Sequence, residues 1–199
     1  MSVTAQSLAL SPPEAGCLNQ VADRLYWLRM PLPYQLDHIN LWLADEGDSW
    51  TLIDCGINHK AVLDIWRQLF ADLFTAKPLR RIVCTHCHPD HMGLAGWLAD
   101  EWDAEFVATR AEWSMGRLLS IEGAHDAELH RKHYIENGCG GEFADKGVER
   151  FAETPKLYAS VPSRFTSIRA GSVIRMAGQD WRVIVGLGHA FEQACLYSE

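Results

Sequence analysis

Three histidines and an aspartate fall within one short segment, CTHCHPDHMG, at positions 84–93. These residues are His86, His88, Asp90 and His91. Neutral imidazole and carboxylate groups bind zinc, and also iron, nickel or manganese. A zinc ion with three histidine ligands and one open position lowers the pKa of its bound water to about 7, which produces a nucleophile at neutral pH. The segment therefore predicts a metal site capable of hydrolytic chemistry.

A strand and a helix are predicted to hold this segment. RRIVCT, at 80–85, is a short apolar run typical of a strand, and a helix is predicted over 93–102. Two histidines at i and i+2 of a helix would point roughly 200° apart, whereas in a loop after a strand they can converge on one ion. Gly93 permits a tight backbone where the loop enters the helix.

The remaining elements alternate between strands and helices. Apolar spacing predicts a helix over 59–74, and 38–45 with 50–56 are predicted to form a hairpin. Other strands are predicted at 24–31, 104–109, 165–171, 172–178 and 180–188, with one more starting at 194. Together these patterns predict an α/β or α+β fold. Residues 1–20 are predicted to be a flexible leader to a domain over 21–199, in which the polar region 110–160 is a helical insertion or lid.

Composition narrows the class of protein. With 199 residues, 48% of them hydrophobic and 22% charged, the chain is typical of one globular domain. A net charge of −8 argues against nucleic acid as a partner, because phosphate binding requires a basic face. The N-terminal residues lack the pattern of a signal peptide, and no run reaches the ~18 apolar residues of a membrane span. We therefore expect a cytoplasmic protein without a membrane partner.

The motif THCHPDHMG resembles the THxHxDHxG motif of the metallo-β-lactamase superfamily. LIDCG, at 52–56, is similar to the family's early strand, whose aspartate, here Asp54, supports the metal loop from behind the ligands. VIVGLGHAFEQACLYS, at 183–198, is similar to the later GHxPxH stretch, whose first histidine is here His189. The resemblance implies an αββα sandwich with two metal sites at one edge. His86, His88 and His189 would form the first site, and Asp90 and His91 would contribute to the second.

The chain departs from the family pattern near its end. Phe191 stands where the family usually has proline, and Gln193 stands where it often has a second histidine. The family's bridging aspartate and last histidine lie beyond this stretch, and the sequence ends ten residues after His189. We therefore expect a sandwich that is truncated in its C-terminal half. The rest of a longer protein, a second copy or another partner would complete it.

The resemblance, in particular to the hydroxyacylglutathione-hydrolase-like branch, implies a metal-dependent hydrolase with one or two zinc ions. It would cleave an ester, thioester or lactone of a small-molecule substrate through a metal-bound hydroxide. Asp90 would orient the attacking water and carry a proton to the leaving group. Two alternatives remain open: an incomplete or non-catalytic metal-binding protein of the same fold, and an iron-dependent oxygenase acting on a persulfide.

Overall fold

Two β-sheets form the centre of the protein. A computed structural model describes residues 10–121 and 127–198, and these residues contain a seven-stranded and a three-stranded sheet. The strands of the large sheet are, in spatial order, β1 (Leu18–Ala22), β2 (Leu25–Pro31), β3 (His38–Asp45), β4 (Trp50–Ile53), β5 (Leu79–Val83), β6 (Glu105–Thr109) and β7 (Thr166–Ile168). The small sheet has the order β10 (Gln193–Tyr197), β9 (Gln179–Gly186), β8 (Val173–Met176).

The direction of the strands changes halfway across the large sheet. Strands β1 to β4 are antiparallel, and β4 to β7 are parallel. Ile53 at the end of β4 pairs with Val83 at the end of β5, and Val83 pairs with Val107 in β6. The loops that follow β4, β5 and β6 therefore leave the sheet at one edge, as loops after parallel strands do. This arrangement places the segment after Ile53 next to the histidine loop after Val83.

Helices cover one face of the large sheet. The α-helices within the described residues are α1 (Lys60–Leu69), α2 (Pro89–Met92), α3 (Ala95–Trp102), α4 (Arg110–Leu119), α5 (Ala127–Glu136) and α6 (Gly141–Glu153). Helix α1 buries Val62, Trp66 and Leu69 on one side, as its apolar spacing predicts. The helix predicted over 59–74 changes at Phe70 into a π-helical turn, Phe70–Phe74. Phe74 is fully buried there, stacked on Trp66.

The two faces of the large sheet pack into two separate cores. Leu52, Ile82 and Phe106 belong to the core under the helices. Ile53, Val83 and Val107 alternate with them and face the small sheet, where Val183 and Ala194 meet them. This alternation is the period-2 pattern of strands buried on both faces. The described residues thus supply a helical layer and two sheet layers, which confirms the predicted α/β sandwich.

Two boundaries differ from the sequence-based prediction. Strand β1 begins at Leu18, inside the range 1–20 predicted as a leader, and pairs with β2. The predicted helix over 93–102 begins earlier, as α2, and continues after a short break as α3. Residues 1–9 lie outside the described residues, and the lid role of 110–160 stays a prediction. Within the described part of the chain, no helix combines the length and apolarity needed to cross a membrane.

Gly96 in α3 offers a test of the packing behind the histidine loop. A Cβ built on Gly96 would lie 2.2 Å from Ser160 Oγ and 2.8 Å from the Ser160 carbonyl carbon. We expect Gly96→Ala to lower the free energy of unfolding by roughly 1–3 kcal/mol through overpacking, measured by urea titration. Gly141→Ala is the matched control, since its Cβ would meet only Arg131 Nη2 at 3.7 Å. If Gly96→Ala stabilises the protein as an ordinary Gly→Ala change in a helix does, this packing is wrong.

Candidate metal centre

The histidine loop starts where β5 ends at Val83 and leads directly into α2. His88 is the residue before α2, and Pro89 occupies its first turn, where a fixed φ and a missing N–H suit the helix start. His86 and His88 therefore lie on loop backbone before the helix, while Asp90 and His91 lie on the helical turn. Gly93 is the C-cap of this turn, and a larger residue would not fit there, because a Cβ would lie 2.3 Å from Pro89 O and 2.6 Å from Leu157 O.

Asp54 holds the loop from the neighbouring strand. Its side chain is buried, with 4% of the residue exposed. Its Oδ1 accepts a hydrogen bond from Thr85 N at 2.8 Å, and its Oδ2 accepts one from Thr85 Oγ1 at 2.8 Å. The same Oδ2 lies 2.8 Å from His91 Nδ1. One carboxylate thus fixes the first residue of the motif and the last histidine together.

These contacts determine the tautomers of His91 and His86, that is, which ring nitrogen carries the hydrogen. A carboxylate only accepts hydrogen bonds, so His91 donates its Nδ1–H to Asp54 and keeps Nε2 for another partner. Thr85 has one hydroxyl hydrogen, which goes to Asp54, and its oxygen lies 2.9 Å from His86 Nδ1. His86 therefore donates from Nδ1, and its Nε2 carries the lone pair that a metal ion requires. This role of Thr85 was not predicted from the sequence. The only signal for it was that Thr85 is the first residue of the motif.

His189 reaches the loop from the other sheet. It follows β9, and its Nε2 lies 3.2 Å from His86 Nε2. Ligand atoms of His86, His88 and His189 all lie within 4.8 Å of one another. Two nitrogens that share a tetrahedral zinc at about 2.0–2.1 Å are about 3.4 Å apart. The separation of His86 and His189 agrees with this value, so the donor set fits a metal ion with three imidazole ligands.

Burial keeps two of these imidazoles neutral. His86 is 1% exposed, and burial together with His91, His88 and His189 lowers the pKa of His86 to about 3. Burial, followed by the neighbouring His189, also lowers the pKa of His88. Neutral imidazole is the form that binds metal, so protons compete weakly for these two residues at neutral pH.

Asp90 and His91 form a second group beside the three histidines. Asp90 Oδ2 lies 3.5 Å from His91 Nε2, and the rings of His91 and His86 are 3.9 Å apart. Burial lowers the pKa of His91, but the carboxylates of Asp54 and Asp90 outweigh it, so the net pKa is raised. Two carboxylates around one imidazole favour a positive charge at this position, whether a proton or a metal ion supplies it. The assignment of Asp90 and His91 to a second ion stays a prediction.

The two cysteines of the loop face inward. Cys84 and Cys87 are buried and free. Burial and the nearby Glu112 raise the pKa of Cys87 to about 12, so it remains a neutral thiol. The backbone of Cys87 is held at both ends, because its N–H donates to Glu112 Oε2 at 2.8 Å and its carbonyl accepts from Tyr158 Oη at 2.5 Å. Glu112 and Tyr158 were not among the site residues predicted from the sequence.

Comparisons with known proteins find a family model and a curated relative that match most of the chain. The sequence model of one family, the metallo-beta-lactamase superfamily, matches residues 34–199. A probable metallo-hydrolase of Bacillus subtilis, YqjP, is 36% identical over 173 residues, which are 86% of this chain and 52% of that protein. The chain therefore spans about half the length of this curated relative.

Solved structures share the fold. A beta-lactamase domain protein from Burkholderia ambifaria is 35% identical with a TM-score of 0.82, covering 96% of this chain and 55% of that one. A metallo-beta-lactamase family protein from Thermus thermophilus is 26% identical with a TM-score of 0.71, covering 89% of this chain and 56% of that one. The sheets and helices described above are therefore those of a known sandwich.

Removal of one imidazole tests the ligand assignment. We expect His88→Ala to lower the zinc content of the purified protein sharply, because two imidazoles hold an ion much less tightly than three. Bound zinc per chain is measured by mass spectrometry after dialysis. His133→Ala, on the exposed surface of α5, is the control and keeps the wild-type content. Equal loss of metal in both variants would refute the assignment.

Proposed function

The chain belongs to the metallo-beta-lactamase superfamily, and from this premise we propose that it acts in a metal-dependent hydrolase that cleaves an ester, thioester or lactone of a small molecule. The observation that carries the proposal is the convergence of His86, His88 and His189 at the sheet edge. The probable metallo-hydrolase of Bacillus subtilis supports hydrolysis at the level of the superfamily. The choice of a carbonyl substrate rests on the chemistry that such a site supplies.

The histidines and Asp54 are proposed to hold and orient the metal site. His86, His88 and His189 would hold a divalent ion, for which zinc is our proposal and iron or manganese are the alternatives. When bound with an open position, such an ion acidifies a water molecule and polarises a carbonyl oxygen. Asp54 sets the tautomer of His86 through Thr85, and it sets that of His91 directly.

Asp90 is the proposed proton carrier. Its side chain is 26% exposed, so it is accessible to substrate, while His91 Nε2 at 3.5 Å limits its movement. A carboxylate in this position would accept a hydrogen bond from the attacking water and orient it, take up the proton that the water loses, and pass that proton to the leaving group. With His91, Asp90 would also contribute to a second ion if two are bound.

The kind of substrate and the compartment are proposals that rest on the sequence. We propose a small molecule rather than nucleic acid, since the chain carries a net charge of −8. We also propose that the protein works in the cytoplasm. The oligomeric state, including the participation of a second copy, stays a prediction that sedimentation analysis would measure.

A substrate panel tests the proposed reaction. The full-length protein, loaded separately with zinc, manganese or iron, is assayed with a thioester, an ester and a lactone. We expect turnover of at least one class and a fall in kcat of about 10²–10⁴-fold in Asp90→Asn, because the proton carrier is lost. Asp100→Asn, exposed on α3, is the matched control with unchanged kcat.

Other outcomes separate the alternatives. Metal bound at the histidines without turnover of any substrate class would favour a non-catalytic metal-binding protein. Iron as the native metal, together with oxygen uptake in the presence of a persulfide, would favour the oxygenase. Equal kcat values for wild type and Asp90→Asn would contradict the role of Asp90.

A further inference from the structure

Glu112, in the first turn of α4, is a buried carboxylate that joins two loops. It is 0% exposed. Its Oε2 accepts a hydrogen bond from Cys87 N at 2.8 Å, and its Oε1 accepts one from Glu192 N at 2.6 Å. Cys87 lies between His86 and His88, and Glu192 lies three residues after His189. The two oxygens therefore contact the two loops that carry the three histidines.

The position of Glu112 in its helix makes this use of the carboxylate unusual. Thr109 is the N-cap of α4 and accepts a hydrogen bond from Glu112 N at 3.4 Å. In a capping box, a glutamate three residues after the cap reaches back to the cap's own backbone N–H. The oxygens of Glu112 instead bond to loops that are 25 and 80 residues away in the chain. Helix capping alone does not require these contacts.

The loop around His189 depends on outside support. Gly188 has a φ of 138°, and Phe191, where the family usually has proline, is 62% exposed. The first turn of α4 holds Glu192 at three atoms. Glu112 binds its N–H, Thr109 Oγ1 donates to its carbonyl oxygen at 3.1 Å, and Ala111 N donates to its Oε2 at 3.4 Å. These bonds fix the end of a loop whose own residues permit many conformations.

We propose that Glu112, supported by Thr109, is a positioning residue that sets the distance between His189 and the pair His86 and His88. The proposal rests on the proposed function only in that the same histidines bind the metal. A carboxylate buried at this depth requires bonded donors, and two backbone N–H groups supply them here. Its place in the first turn of α4 adds a favourable helix dipole. The two donors belong to the two loops, so moving either loop would leave one buried carboxylate oxygen without its donor.

Replacement of the carboxylate by an amide tests this role. In Glu112→Gln, an NH₂ group replaces one oxygen and faces a backbone N–H, so one of the two loops loses its acceptor. We expect the affinity for Zn²⁺ and Co²⁺ to fall by about 10–100-fold, as for other residues that orient metal ligands. We also expect the visible d–d spectrum of the Co²⁺ form to change, because the ligand geometry changes. Affinity is measured by competition with a chelator on the full-length protein.

Glu46 provides the matched control. It also bridges two segments, since its Oε1 accepts from Thr51 Oγ1 at 2.8 Å and its Oε2 accepts from Ala177 N at 3.2 Å. It lies before β4, at the end of the strand away from the metal centre. We expect Glu46→Gln to lower the urea midpoint of the metal-free protein and to leave Co²⁺ affinity and spectrum unchanged. The comparison of the two variants thereby distinguishes a general loss of stability from a specific change in the position of the metal ligands.

Three results would overturn the proposal. One is wild-type Co²⁺ affinity and spectrum in Glu112→Gln, and another is equal weakening of metal binding in Glu112→Gln and Glu46→Gln. If Glu112→Gln does not fold, Thr109→Val decides, because it removes the hydroxyl bond to Glu192 and should weaken Co²⁺ binding several-fold. Unchanged binding in Thr109→Val is then the third result. A wild-type protein that binds metal but hydrolyses nothing contradicts the proposed function and leaves this inference intact.

Discussion

Asp54 accepts hydrogen bonds from the backbone and hydroxyl of Thr85 and from the ring of His91, all with one buried carboxylate. The backbone of Asp54 has a φ of 61°, a left-handed conformation that aspartate tolerates better than most residues. This conformation directs the chain out of β4, and Asp54 N still bonds to Val83 O at 2.9 Å. The parallel pairing of β4 and β5 therefore places the carboxylate beside Thr85 and His91, where it sets the tautomers of two histidines.

The candidate metal centre is assembled from two sides of the sandwich. On one side, the ends of β4 and β5 place His86 and His88 through Asp54. On the other, the first turn of α4 holds the loop that carries His189 through Glu112 and Thr109. Glu112 connects the two sides, because its other oxygen accepts a hydrogen bond from Cys87 N, while Tyr158 donates to the carbonyl of Cys87. A displacement of α4 would therefore reach all three histidines, although α4 supplies none of them.

The cluster of imidazoles disfavours protons. Burial and the neighbouring histidines lower the pKa values of His86 and His88, so their ring nitrogens keep free lone pairs at neutral pH. A metal ion that binds only this folded arrangement would stabilise it. The rigid sheets around the site hold the three nitrogens close together before any ion binds. The fold thus supplies a preorganised set of donor atoms.

The sequence by itself determined the elements whose signals are local. Alternation predicted the hairpin of β3 and β4, apolar spacing predicted α1, and the motif at 84–93 with its resemblance indicated the family, which the comparisons confirm. The ligand roles of His86, His88, Asp90, His91 and His189 stay predictions, although the structure brings His86, His88 and His189 together. Only the tertiary structure decided that β1 begins at Leu18, that Thr85 selects the tautomer of His86, and that Glu112 joins the two loops. Periodicity reports which face of a segment is buried, whereas the partners of Glu112 are fixed by how strands and helices meet across the whole chain.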